Sequence, residues 1–221
     1  CFHQGRLYFG GSKSRPSTIF ASRVDEFFNF NPGEGNADDA FVATLDTNQL
    51  NAIVDIISAN YLQIFTTDAE FFVPQADLDP ITPSNIVIKS ATRRGSKPNI
   101  RPQAAEGGTL FIQRQGKSLR EMLFSDVELS YVANNISLLS SHLISNPVQL
   151  AVVQGSLARP GSYGMFLMDN GEIGVFHSLR SEQRAGWMRW DTNGRFHSVC
   201  AVDEDLYVCT VRDEGDGTNR L

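Results

Sequence analysis

The sequence predicts an all-β fold of short antiparallel sheets with one or two short helices, and three observations predict it. Short apolar or aromatic runs alternate with polar turns along almost the whole chain, residues suited to tight turns sit between those runs, and strand-turn-strand units recur at a regular spacing. With 221 residues, 41% apolar and 20% charged, the chain can bury a sizeable core and shows no composition of disorder.

The elements follow in chain order. The first strand-like run begins near Leu7, and a chain that opens on Cys1 rather than methionine reads as a piece of a longer polypeptide. Phe27, Phe28 and Phe30, like Phe65, Phe71 and Phe72 further on, fall within or beside β runs, so core packing is expected for them. The stretches NPGEGNADDA (31–40) and VPQADLDPITPS (73–84) read as loops between successive sheet units. TNQLNAIVDII (47–57) places Leu50, Ile53, Val54 and Ile57 at helical spacing but also alternates into a β-branched run, so it fits helix or strand. LQIFTTDAEFFV (62–73) is a hairpin with its corner at Thr67 and Asp68.

GGTLFIQRQGKSLREM (107–122) contains Gly-Lys-Ser, the end of a phosphate-binding loop. That loop needs a glycine five positions before the Gly-Lys pair and a helix after the serine. The required position is Phe111, and Leu119–Phe124 has no helical face, so the segment reads as two strands, 110–114 and 119–124, around a turn at Gln115, Gly116, Lys117 and Ser118. ISLLSSHLI (136–144) has the spacing of a short helix capped by Asn135 or Ser137. MFLMDNGEIGVF (165–176) and WMRWDTNGRFHSVCAV (187–202) carry Asn170-Gly171 and Asn193-Gly194, the strongest short hairpin signals. VCAVDEDLYVCTVR (199–212) is a further hairpin; a corner at Asp203, Glu204 and Asp205 sets Cys200 opposite Val208 and Cys209 opposite Val199, which predicts two buried thiols rather than a disulfide. Three cysteines at unrelated spacings suit a reducing compartment.

The units begin near Leu7, Leu62, Leu110, Met165 and Leu206, some 40 to 55 residues apart. A β-propeller produces such a period, because a four-stranded blade cannot bury both its faces alone. A pair of β-sandwiches or an irregular barrel fits the period equally well.

Chemistry-bearing motifs are sparse. PGSYG (160–164) has the wrong spacing for a nucleophile elbow and reads as a turn. His3, His142, His177 and His197 are isolated from one another, with no metal-ligand spacing. Asp38, Asp39, Asp68, Glu70, Asp203, Glu204 and Asp205 could supply the two carboxylates of a glycosidase, but they lie in turns, where aspartate is expected on other grounds. DEGDGTN (213–219) has glycines at the third and fifth positions of a calcium loop and reads as a tail. Trp187 and Trp190 fall on opposite faces of a strand, so only one of them is available to an exposed sugar platform. The net charge of −6, with scattered lysines and arginines, excludes a basic face for gripping DNA, and no apolar run approaches the roughly 20 residues of a membrane-spanning helix.

Six segments in order, QGRLYFGGSKSRPSTIFASRVDEFFNF (4–30), DDAFVATLDTNQLNAIVDIISANYLQIFTTDAEFFV (38–73), ITPSNIVIKSATRRGS (81–96), LFIQRQGKSLREMLFS (110–125), YVANNISLLSSHLI (131–144) and GWMRWDTNGRFHSVCAV (186–202), resemble the tubular tail proteins of short-tailed, podovirus-like bacteriophages, which build the hub or nozzle at the tail tip. The chain departs from that pattern at Asn135, where an aspartate is usual, and in HSLRSEQRAGW (177–187). The resemblance implies a β-propeller or partial propeller spanning 1–221 as one region of a longer tail protein. It implies a non-enzymatic virion protein, assembled in the bacterial host cytoplasm, that forms a ring of six copies around the DNA ejection channel. Its implied partners are a tail adaptor protein and tail fibres or spikes, with phage DNA passing through without specific binding. It carries no catalytic, cofactor or metal residues, and it leaves the channel-lining and interface residues unspecified. The competing expectations are a propeller that recognises a host surface glycan or receptor, and a carboxylate glycosidase.

Overall fold

The computed structural model describes residues 1–47, 51–75, 78–105, 107–156, 161–179, 182, 184–213 and 219–220. They form a predominantly β structure of small antiparallel sheets, as composition and patterning predict. Each sheet is built from strands consecutive in the chain. Sheet 1 contains β1 (Phe2–His3), β2 (Arg6–Gly10), β3 (Thr18–Ala21) and β4 (Phe41–Thr44); sheet 2 contains β5 (Ile53–Ser58), β6 (Leu62–Thr66), β7 (Glu70–Val73) and β8 (Lys89–Thr92). Sheet 3 contains β9 (Gln103–Ala105), β10 (Gly108–Ile112), β11 (Leu119–Ser125) and β12 (Ser130–Asn135). Sheet 4 contains β13 (Pro147–Val153), β14 (Ser162–Met168), β15 (Ile173–Leu179) and β16 (Arg184–Trp190). Sheet 5 contains β17 (Arg195–Val202), β18 (Asp205–Asp213) and β19 (Asn219–Arg220). The residues that mark the repeat in the sequence, Leu7, Leu62, Leu110, Met165 and Leu206, fall in β2, β6, β10, β14 and β18, the second strand of each sheet.

The chain divides into two compact units, Cys1–Pro98 with Ser125–Val132, and Asn99–Phe124 with Ala133–Leu221. In the first unit, one face of sheet 1 (Tyr8, Ile19, Ala21, Phe41) packs on one face of sheet 2 (Ile53, Ile56, Leu62, Ile64, Phe71, Val73). Gly10 sits in this interface: a Cβ there would come within 2.9 Å of Ile56 Cδ1, so glycine permits the two sheets to approach. On the other face of sheet 2, Phe65 and Phe72 are also buried, and Phe72 packs edge-on against Tyr131 at 5.3 Å. In the second unit, sheet 4 is covered on both sides. Leu150, Phe166, Met168 and Phe176 pack with Leu110, Ile112 and Leu119 of sheet 3, while Ala151, Met165, Leu167, Ile173 and Val175 pack with Val199, Leu206 and Val208 of sheet 5. Burial on two faces is why β6, β7 and β14 read as unbroken apolar runs rather than alternating ones.

The hairpins at Thr67 and Asp68, at 113–118, at Asn170-Gly171 and at Asp203 form as expected. The Asn170-Gly171 hairpin has a three-residue loop rather than a two-residue one: the Gly171 N–H donates to Met168 O at 3.0 Å, and Gly171, at φ +85°, forms the bulge that rejoins the ladder. Asn193-Gly194, expected to close a hairpin, instead carries the chain from β16 in sheet 4 to β17 in sheet 5. The turn signal is local and does not record which strands it joins. The two stretches expected between sheet units lie within sheets: 31–40 joins β3 to β4, and 73–84 joins β7 to β8. The ambiguous 47–57 segment resolves into β5, with residues 48–50 outside the described set. The expected helix at 136–144 is a 3-10 helix, Leu138–Leu143, with no buried residue; Asn135 Oδ1 accepts from the Ser137 N–H and hydroxyl before it begins. No described helix is long and apolar enough to cross a membrane.

Candidate functional site

The carboxylates that could have formed a catalytic pair are occupied in holding loops. Asp39 is buried, and its Oδ2 accepts from the backbone N–H groups of Glu34, Gly35 and Asn36 at 3.2, 3.0 and 2.8 Å. Asp38 accepts from Arg23 Nη2 at 2.8 Å, and that hydrogen bond holds its carboxyl below the usual carboxylate range. Glu70 is fully buried and accepts from the Thr92 hydroxyl and the Arg94 N–H. Asp68 accepts from the Thr67 hydroxyl in its own corner. Asp203, Glu204 and Asp205 are exposed at the tip of β17–β18.

Beneath the first of these loops, Arg6 is 1% exposed and is bound by backbone carbonyls: Nη1 donates to Ser22 O and Asp39 O, each at 2.7 Å, and Nη2 to Ala37 O at 2.6 Å. Its guanidinium lies 5.3 Å from the Phe41 ring centroid. Burial lowers the Arg6 pKa from its ordinary value. The same burial pushes the neighbouring Tyr8 phenol up to about 12. Arg6 and Asp39 thus clamp both ends of a loop that would otherwise have no core of its own.

The other chemical groups stay apart. His3 Nδ1 bonds the Ser58 hydroxyl at 2.8 Å, His177 stacks on Tyr163 at 4.4 Å, and His142 and His197 are exposed. No group of three or more metal-ligating side chains converges among the described residues. The corner at Asp203 is one residue shorter than expected, with Val202 paired to Asp205, so Cys200 lies opposite Tyr207 and Cys209 opposite Ser198. Both cysteines are free, as expected, but Cys200 is exposed and Cys209 half-buried, so the expectation of two buried thiols is corrected. Residues 214–218 of the acidic run 213–219 lie outside the described set.

Two surfaces remain. In the second unit a groove of about 620 Å³ is lined by Tyr163, Met165, Met188, Trp190, Glu204 and Asp205 among others. As the strand alternation predicts, Trp190 faces this groove while Trp187 turns to the opposite side and packs on Phe166 and Phe176. In the first unit the face of sheet 1 turned away from sheet 2 is aromatic. Phe9, Phe20 and Val42 are side by side in register on β2, β3 and β4. Phe30 packs on Phe9 at 5.6 Å and Phe27 on Phe2 at 5.1 Å. Phe2, Phe9 and Phe28 are 62%, 54% and 94% exposed. The expectation of core packing thus holds for Phe65, Phe71 and Phe72 and fails for Phe28 and Phe30. Their context, DEFFNFNPGEG, was the available signal, because acidic, proline and glycine residues around the phenylalanines mark a loop rather than a strand.

Comparison with known proteins finds no family model and no curated protein that matches the chain.

Proposed function

We propose that this chain is a structural subunit of the tail nozzle or hub of a short-tailed bacteriophage, an array of blade-like sheets arranged as a propeller or part of one, whose work is done by its shape and its surfaces. The observation that carries the reading is the repeat of antiparallel meanders, sheets 1 to 5, packed face to face within each unit through apolar side chains. The ordered resemblance of six segments supplies the tail-protein context, and the engagement of Arg6, Asp39 and Glu70 in loop anchoring agrees with a scaffold. In this reading the acidic net charge suits a wall past which DNA must slide, since each phosphate neutralised by a cation adds salt-dependent affinity. Immunogold electron microscopy of purified particles is the test: label at the distal tail tip is expected, and particles that lack the protein defeat the assignment.

The groove beside Trp190 favours a second reading, a module that binds a host surface glycan, because an exposed indole beside acidic and amide groups offers a sugar both a stacking face and hydroxyl partners. Titration of purified host surface polysaccharide against the protein and its Trp190→Ala variant separates the two readings. Binding that the substitution abolishes supports this one.

A further inference from the structure

We infer that the chain docks head to tail on a second copy of itself, the aromatic outer face of sheet 1 receiving the outer face of sheet 5. Within each unit, sheets cover one another through apolar faces, but both outer faces are bare. On sheet 1, Phe2, Phe9, Phe28, Phe30 and Val42 are all at least 38% exposed. Covering these aromatic rings removes on the order of 500 Å² from water, a large share of the about 800 Å² per partner of a stable interface. Apolar patches of this size on a soluble protein mark interaction surfaces. On sheet 5, register places Cys200, Val202, Tyr207 and Cys209 on the face opposite the one that Val199, Leu206 and Val208 bury, and Val202 and Tyr207 are 54% and 59% exposed.

Charge selects the occupant. Successive loops of a meander lie at opposite ends of its sheet. Sheet 1 therefore carries Asp25, Glu26, Glu34 and Asp38, all exposed, at the end where β3 passes to β4, and Lys13 and Arg15, also exposed, at the end where β2 passes to β3. Sheet 5 has the matching arrangement, with Asp203, Glu204 and Asp205 at its tip and Arg195, His197 and Arg212 at the far end. One in-plane orientation sets the acidic end of each face on the basic end of the other, and the reverse orientation opposes like charges at both ends. Because the two faces differ, the contact is heterologous and propagates from copy to copy until it closes or forms a fibre.

This inference extends the ring-subunit reading but stands on the two faces alone, so particle labelling tests that reading and solution association tests this one. The experiment is analytical ultracentrifugation of the purified chain over a wide concentration range, with a sheet 1 variant (Phe9→Glu with Phe28→Glu) and a sheet 5 variant (Val202→Glu with Tyr207→Glu). Wild type is expected to associate with concentration. Each variant alone is expected to stay monomeric to at least about tenfold higher concentration, and an equimolar mixture of the two is expected to form a one-to-one dimer, since one intact pair of faces remains. Circular dichroism checks that the variants keep the wild-type fold. The milder pair Phe28→Ser and Tyr207→Ser serves where they do not. A wild type that is monomeric throughout, association that survives the sheet 5 variant, or variants that fail to recombine overturns the inference.

Discussion

Arg6 and Tyr8 are adjacent inward positions of β2, and each makes a prediction that its burial decides. Arg6 satisfies the carbonyls of Ser22, Ala37 and Asp39, so Arg6→Met leaves three acceptors without that donor and frees the 22–40 loop. A loss of about 2–4 kcal/mol is expected in urea unfolding, together with faster proteolysis between residues 22 and 40. The Tyr8 hydroxyl is buried with no hydrogen-bond partner, and the fold holds its phenol neutral up to about pH 12 against an ordinary 10. Between those values the unfolded chain has released the proton and the folded chain has kept it. Stability that is fully present below pH 10 therefore falls as pH rises toward 12, by about 2.7 kcal/mol in all. Tyr8→Phe is expected to unfold at the same or slightly higher urea concentration at pH 7 and to lose less stability between pH 10 and 12. None of this was legible in GRLYFGG. Alternation identifies Arg6 and Tyr8 as sharing a face, but whether an arginine on that face meets water or carbonyls depends on a loop more than thirty residues away.

The hairpins show how far local chemistry reaches. Where a turn joins two strands of one sheet, as at Thr67, Gln115–Ser118 and Asn170-Gly171, the residues that allow the reversal also specify the pairing, and the expected strands form. Asn193-Gly194 has the same composition and a different partner, because a φ of +133° at Gly194 serves a change of sheet as well as a reversal. A Cβ at Gly194 would stand 2.2 Å from Val211 O. Gly194→Ala is therefore expected to cost about 2–4 kcal/mol by combining backbone strain with a clash in sheet 5, read as a lower urea midpoint. The long 31–40 and 73–84 connections were misplaced for a related reason: length and polarity mark a loop but carry no record of the strands it joins. In the first case the loop is a structured one, pinned by Asp39 and carrying the exposed Phe28 and Phe30.

At the scale of the whole molecule, the repeat seen in the sequence is the repeat of the sheets, with each marker residue in a second strand. The face-to-face packing makes Phe166 a sensitive position, since it is fully buried between sheets 3 and 4 and lies 5.8 Å from the Trp187 ring. Phe166→Ala is expected to cost about 3–5 kcal/mol and to shift Trp187 fluorescence to the red as water reaches the indole. The Trp187→Phe variant isolates that signal from Trp190. Surface chemistry at this scale was the least legible part. The candidate acids proved to be anchors and tips, while the aromatic face of sheet 1 is assembled from β2, β3, β4 and a loop whose phenylalanines all look alike in a list of residues.

The sequence by itself determined the class of structure, the positions of the within-sheet turns, the spacing of the sheets and the opposite facing of the two tryptophans. All of these follow from the two-residue period of a strand and from the few residues that tolerate tight reversals. Only the tertiary structure decided which sheet each connection enters, which acids are buried anchors, and which aromatics are left in water. Burial is a property of what arrives from elsewhere in the chain, and the local pattern of a strand is the same whether or not anything arrives.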